Sequence, residues 1–69
     1  MALKELRESR LLTQAEVAKH CNVAIATVSN WERGEQRPQF SQMRCLAGLY
    51  QVSYEEIQAA VENAQKRKS

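Results

Sequence analysis

Residues that break helices are scarce in this 69-residue chain, which contains two glycines and one proline. Strand signals are scarce as well, because no segment shows the sustained alternation of β-branched and polar residues typical of a β-strand. Ala, Leu, Glu, Gln and Arg occur throughout, and these residues favour helices joined by short turns. The sequence therefore predicts an all-α domain of five short helices over residues 1–64, followed by a basic, flexible tail at 65–69.

Groups that bind metals or carry out catalysis are also few. One histidine and two distant cysteines do not form a zinc site. The sequence contains neither a glycine-rich phosphate loop nor a clustered set of acid, base and nucleophile. No run of 18 apolar residues could span a membrane. We therefore expect no metal, no cofactor, no membrane insertion and no enzymatic activity.

The two cysteines, Cys21 and Cys45, are too few for a disulfide framework. The chain begins with charged, helix-forming residues, unlike a secretory signal. We therefore expect a cytoplasmic protein with two reduced thiols, packed as small apolar groups. The alternative is a redox-sensing thiol.

Charge of one sign is not in large excess, since ten basic residues face eight acidic ones and the net charge is +2. Residues 66–68 supply three of the ten basic groups, so the rest of the chain has seven basic against eight acidic residues. A surface that binds nucleic acid must therefore come from local clustering of charge. We expect the tail to be a solvated, frayed terminus, with a loose phosphate contact as the alternative.

Apolar spacing and capping signals place the five helices. Leu3 and Leu6 give the first helix an apolar stripe, which Leu11 or Leu12 continues. Capping boxes at residues 13–16 and 53–56 open the second and fifth helices. The predicted helices are 2–10, 14 to 20 or 21, 25–33, 40–50, and from 53 to about 63. The predicted inward residues of the last four helices are Val17, Ala18, Cys21, Val28, Trp31, Phe40, Met43, Leu46, Ala47, Tyr50, Ile57 and Val61.

The joint between the second and third helices is the most informative local feature. Only Asn22, Val23 and Ala24 separate the two helices. A turn this short forces a steep crossing, which is the geometry of a helix-turn-helix. Small Ala18 permits close approach of the helices, and Asn22 tolerates the left-handed conformation that ends a helix.

Several motifs together resemble the phage-repressor/Cro/Xre-type helix-turn-helix family. They are LTQAEVA at 12–18, Asn22-Val23, TVSNWERG at 27–34 and Pro38, with Leu46-Ala47 and Val52-Ser53 downstream. The resemblance covers residues 3–57 and implies a lambda-repressor-like fold. The chain departs from the family at Asn22, where glycine is usual, and at 24–26, where Ala-Ile-Ala replaces polar residues.

A candidate DNA-reading face follows from the third helix. Ile25, Ala26, Ser29 and Asn30 lie opposite its two core positions and are predicted to contact bases. Asn30 can pair with the N6 and N7 atoms of adenine, and Ile25 and Ala26 can meet a thymine methyl group. The alternative for Ile25 is packing against the domain's own core.

Phosphate contacts are expected from Gln14, Thr27, Arg33 and Arg37, with plain solvent exposure as the alternative. For Gln14 this role is implied by the family resemblance. The resemblance also implies that Arg7 and Glu32 pair across the first and third helices. Such a pair would hold the recognition helix in place without reading bases.

These expectations describe a regulator that binds double-stranded DNA in a sequence-specific manner, a repressor without a small-molecule effector domain. A homodimer would bind two half-sites about one helical turn apart. Leu49, Tyr54 and Val61 are candidates for its dimer surface. The alternative is a protein-interaction module or an antitoxin-type partner of another protein, which the apolar Ile25-Ala26 pair would suit.

Overall fold

The computed structural model describes the backbone of residues 2–68 and the side chains of residues 2–66. That part of the chain contains no strands and confirms the all-α class. The helices are α1 (Leu3–Ser9), α2 (Gln14–Cys21), α3 (Ile25–Arg33), α4 (Phe40–Tyr50) and α5 (Tyr54–Lys68).

The bounds of α2, α3 and α4 agree with the prediction, whereas α5 extends beyond the expected end near Asn63. The backbone of residues 65–68 is therefore helical, where the sequence predicts a flexible tail. The division into a domain and a tail stays a prediction, and the side chains of Arg67 and Lys68 lie outside the described residues.

Helix ends follow the predicted capping chemistry. At the start of α2, the backbone N–H of Glu16 donates to Thr13 Oγ1 at 3.1 Å, and the backbone N–H of Thr13 donates to Glu16 Oε1 at 2.8 Å. At the start of α5, the backbone N–H of Glu56 donates to Ser53 Oγ at 3.1 Å. Both predicted capping boxes are thus present, and they satisfy donors that the first turn of a helix leaves unpaired.

One continuous apolar core holds the five helices together. Val28 and Trp31 of α3 are each only 1 % exposed, so the predicted inner face of this helix is correct. Pro38, Ala60 and Ala64 are also buried, although the apolar spacing did not predict them as core residues. The core members of α1, α2, α4 and α5 are Leu3, Leu6, Val17, Ala18, Met43, Leu46, Tyr50, Ile57, Ala60 and Val61.

One apolar residue lies elsewhere than predicted, and the structure decides two alternatives that the sequence left open. Phe40 is 60 % exposed because it is the first residue of α4, where its ring packs beside Tyr54 with 5.2 Å between centroids. Leu11 is 91 % exposed, and Leu12 packs against the core in its place. Val61 is 1 % exposed, so its predicted inward position is correct and its alternative place on a dimer surface is wrong.

The expectation of two reduced thiols is also wrong for this structure. Cys21, the last residue of α2, forms a disulfide with Cys45 of α4, with 6.0 Å between their Cα atoms. The two residues are 24 positions apart, and nothing in the local sequence reveals that the fold brings them together. The bond fixes the end of α2, next to the turn that leads into α3.

Candidate nucleic-acid interface

The outer face of α3 forms the candidate interface. Ile25 is 53 % exposed, so the alternative that it packs into the core is wrong. Ala26 and Arg33 are exposed, and Thr27, Ser29 and Asn30 are half-buried. With Val28 and Trp31 buried behind them, these side chains are presented on a helix that cannot rotate without disrupting the core.

The turn between α2 and α3 sets the position of this face. Asn22 adopts the left-handed conformation with φ 59°, as its side chain allows. The backbone N–H of Val23 donates to the carbonyl of Ala18 at 2.9 Å. Ala18 is buried and Val23 packs against the core, so the short turn is closed by backbone hydrogen bonding and apolar contact together.

Glu32 is the polar centre that ties α3 to α1 and α2. Arg7 Nε donates to Glu32 Oε2 at 2.7 Å, and Arg7 Nη2 donates to Oε1 at 3.3 Å. Gln14 Nε2 donates to the same Oε1 at 3.0 Å. Arg7 Nη1 also donates to the carbonyl of Leu12 at 2.8 Å. We call Arg7, Gln14 and Glu32 the polar triad.

The charged pair of the polar triad is largely buried, and this affects the pKa values of Arg7 and Tyr50. The side chains of Arg7 and Glu32 are 10 % and 6 % exposed. The hydrogen bond to Glu32 raises the pKa of Arg7, against the opposing effect of burial. Burial raises the pKa of the nearby Tyr50 hydroxyl, and the charge of Glu32 adds to that rise. Arg7 therefore stays protonated, and burial, helped by the charge of Glu32, favours the neutral form of the Tyr50 hydroxyl.

Gln14 is the first residue of α2, so it also lies at the end of that helix that favours anions. The leading backbone N–H groups of a helix lack intrahelical acceptors and favour an anion. The Gln14 amide itself donates to Glu32, so its side chain is engaged within the domain, and the backbone N–H groups of this turn are the donors that face outward for an anion. The pattern Thr13-Gln14 did not reveal this contact, since Glu32 lies 18 positions further along the chain.

The remaining predicted residues lie at the end of α3 and in the loop after it. Arg33 Nη2 donates to Asn30 Oδ1 at 2.7 Å, which joins a predicted phosphate contact to a predicted base contact. Arg37 Nη1 donates to Gln65 Oε1 of α5 at 3.1 Å. Both arginines are exposed and keep further N–H donors for other acceptors.

The described residues contain neither a metal-ligand cluster nor a membrane-spanning helix. Among residues 2–66, no three His, Cys, Asp or Glu side chains lie together as potential metal ligands. No helix in the described part of the chain is both long and apolar enough to cross a bilayer.

Comparison with known proteins agrees with this geometry. The family model described as "Helix-turn-helix" matches residues 3–57. The chain is 29 % identical over 55 residues to the HTH-type transcriptional activator BcrR of Enterococcus faecalis, a match that covers 80 % of this chain but 27 % of that protein. No solved structure matches at a significant level. The short α2–α3 turn, the exposed outer face of α3 and the match over 3–57 together show that the chain belongs to the helix-turn-helix family, of the Xre/Cro type.

Proposed function

We propose that this chain binds double-stranded DNA sequence-specifically and regulates transcription, with α3 lying in the major groove. The observation that carries the proposal is the outer face of α3, which is exposed while the helix is held by the core and the polar triad. A helix fixed in this way can place side chains against base edges without first ordering itself. The activity is binding alone, with no chemical step.

The proposed contacts fall into two groups. Ile25, Ala26, Ser29 and Asn30 contact base edges, and Ile25 and Ala26 meet thymine methyl groups. Thr27, Arg33, Arg37 and the N-terminus of α2 at Gln14 contact phosphates, which fix the position of the domain but carry no sequence information.

Selection from random duplexes, followed by footprinting, tests the proposal. Asn30→Ala should weaken binding to the selected site by roughly 1–3 kcal/mol and relax preference at one base pair. Arg37→Ala, the matched phosphate variant, should weaken selected and random duplexes alike. Failure to enrich any duplex at low salt would contradict DNA binding, and the reverse pattern for the two variants would show that the reading face is misplaced.

A second candidate function is binding to another protein, as an interaction module or an antitoxin. The exposure of Ile25 and Ala26 favours it, since apolar side chains at the centre of a surface suit protein partners. The dependence of binding affinity on salt concentration distinguishes the two functions. Phosphate contacts release counterions, so DNA affinity should fall with a log–log slope of about −0.9 per contact, whereas apolar docking should change little between low and moderate salt.

For the direction of regulation we propose repression in the cytoplasm, because occupation of a promoter by a bound domain blocks polymerase without any further contact. The relative BcrR is named an activator. A reporter gene placed downstream of the selected site distinguishes the two. Lower expression in the presence of the protein supports repression, and higher expression contradicts it.

A further inference from the structure

Asn30 and Arg33 are hydrogen-bonded to each other on the face of α3 that is proposed to contact DNA. Both residues lie on the outer face of α3, where Arg33 Nη2 donates to Asn30 Oδ1 at 2.7 Å. An isolated asparagine offers both an acceptor and a donor, and adenine is the base that matches both through N6 and N7. Here one lone pair of the asparagine oxygen accepts from a charged donor, and the guanidinium with its remaining N–H groups lies beside that oxygen.

The pair therefore presents donors to an incoming base. The Nδ2 group of Asn30 keeps its two N–H bonds, and a guanidinium has five N–H groups, of which one is used here. Adenine would bring its N6 amino group, itself a donor, against the donors of Arg33. An unpaired donor at a desolvated contact is costly, so adenine is disfavoured.

The other bases rank by the same argument. Guanine presents two acceptors, N7 and O6, in the major groove, thymine presents one, O4, and cytosine presents a donor. Only guanine offers an acceptor at both positions where the pair brings a donor.

We propose that Asn30 reads guanine and that Arg33 acts as the positioning residue that sets this choice by holding its N–H donors beside Asn30 Oδ1. The inference rests on the proposed function, DNA binding by α3. It replaces the adenine contact expected from Asn30 alone.

The test uses the full chain with duplexes selected from a random library. The base pair read by Asn30 is the one at which Asn30→Ala abolishes preference. At that pair the wild-type chain should bind guanine over adenine by about tenfold or more. Arg33→Ala removes the charged donors beside Oδ1, so it should bring the guanine-to-adenine ratio to one or below. A merely structural or phosphate-binding arginine would lower both affinities and leave the ratio unchanged.

Arg44→Ala is the matched control, because it removes an arginine of α4 that lies 5.9 Å from the ring of Phe40. It should leave the ratio as in the wild-type chain. Wild-type preference for adenine at the Asn30 pair, no pair that responds to Asn30→Ala, or an unchanged ratio in Arg33→Ala would each overturn the guanine assignment while DNA binding stands. Enrichment of no duplex at all would instead overturn the proposed function, and the assignment with it.

Discussion

Gly34 shows how a single residue can serve two purposes, only one of which is visible in the sequence. It ends α3 with φ +77°, a conformation that other residues rarely adopt. It also lies against α5, where an added Cβ would overlap the carbonyl oxygen of Ala64 and come within 2.8 Å of its carbonyl carbon. The helix stop could be predicted from local sequence, but the contact with a residue 30 positions later could not.

Gly34→Ala should therefore lower the free energy of unfolding by roughly 2–5 kcal/mol, through backbone strain and overlap with α5. Gly48→Ala is the matched control. Gly48 lies within α4 and a Cβ there meets nothing within 4 Å, so alanine should raise stability by about 1 kcal/mol. Urea titrations of the two variants measure both effects. A loss of less than about 1 kcal/mol at Gly34 would contradict the proposed packing against Ala64.

Leu11 carries an unfavourable backbone conformation that the family motifs do not reveal. It has φ 57° in the turn before α2, and its side chain is 91 % exposed. A left-handed conformation costs an L-residue roughly 1–2 kcal/mol, and no burial of the side chain offsets that cost here.

Leu11→Gly should raise the free energy of unfolding by roughly 0.5–1 kcal/mol, the strain relieved less the extra entropy of glycine in the unfolded chain. Leu11→Ala keeps the Cβ and should stay close to the wild-type value. Thermal melts of the three proteins give the comparison. Equal stability of the glycine and alanine variants would show that the backbone at Leu11 is unstrained.

At the scale of elements, the sequence predicts the bounds and the inner face of α3. It does not predict the Gln14–Glu32 hydrogen bond or the Cys21–Cys45 disulfide, which join α2 to α3 and α2 to α4. The bounds of α3 follow from Gly34 and the short turn, and its inner face follows from the three-residue spacing of Val28 and Trp31. The partners Gln14 and Cys45 could not be predicted in this way. Each meets its contact, Glu32 or Cys21, across at least 18 positions, a distance over which local periodicity carries no information.

The disulfide between α2 and α4 predicts that stability depends on redox state. In the chain-entropy model, a cross-link closing a loop of this length, 24 positions, stabilises by about 3.5 kcal/mol. Both cysteines are half-buried, so a small dithiol can reach them. Reduction with excess dithiothreitol should lower the melting temperature, and mass spectrometry after alkylation should show two labelled thiols.

The variant with both Cys21→Ala and Cys45→Ala is the control, because it has no bond to break. Its melting temperature should be the same with and without dithiothreitol. A wild-type chain that melts at the same temperature in both conditions would contradict a stabilising bond between α2 and α4.

The buried charges of the polar triad predict how substitutions of Arg7 and Glu32 change the stability of the domain. Glu32→Gln leaves the Arg7 charge buried without a counter-charge, which should cost roughly 3–5 kcal/mol of stability. Replacing both residues, Arg7→Met with Glu32→Leu, removes the buried charges together and should recover most of that loss. Denaturant titrations decide between the outcomes. A double variant no more stable than Glu32→Gln would mean that the triad matters for more than charge balance.

For the molecule as a whole, the dimensions of the domain decide whether two copies can bind adjacent half-sites on DNA. The described chain measures 29 × 24 × 22 Å, and one turn of B-DNA separates equivalent half-sites by about 34 Å. Two domains therefore fit side by side on one face of the duplex without overlap. Phe40 and Tyr54 form an aromatic pair on the surface, of which Phe40 is 60 % exposed, but no contact described within one chain requires a dimer.

The homodimer expected from the sequence predicts that binding depends on half-site spacing. Inserting five base pairs between the half-sites of a selected duplex turns them to opposite faces, so two domains in contact cannot reach both sites, whereas ten inserted pairs restore the common face. Affinity in gel-shift titrations should fall with five inserted pairs and partly recover with ten. Sedimentation of the complex should give two chains per duplex. Equal affinity for all three spacings would show that each copy of the chain binds its half-site independently.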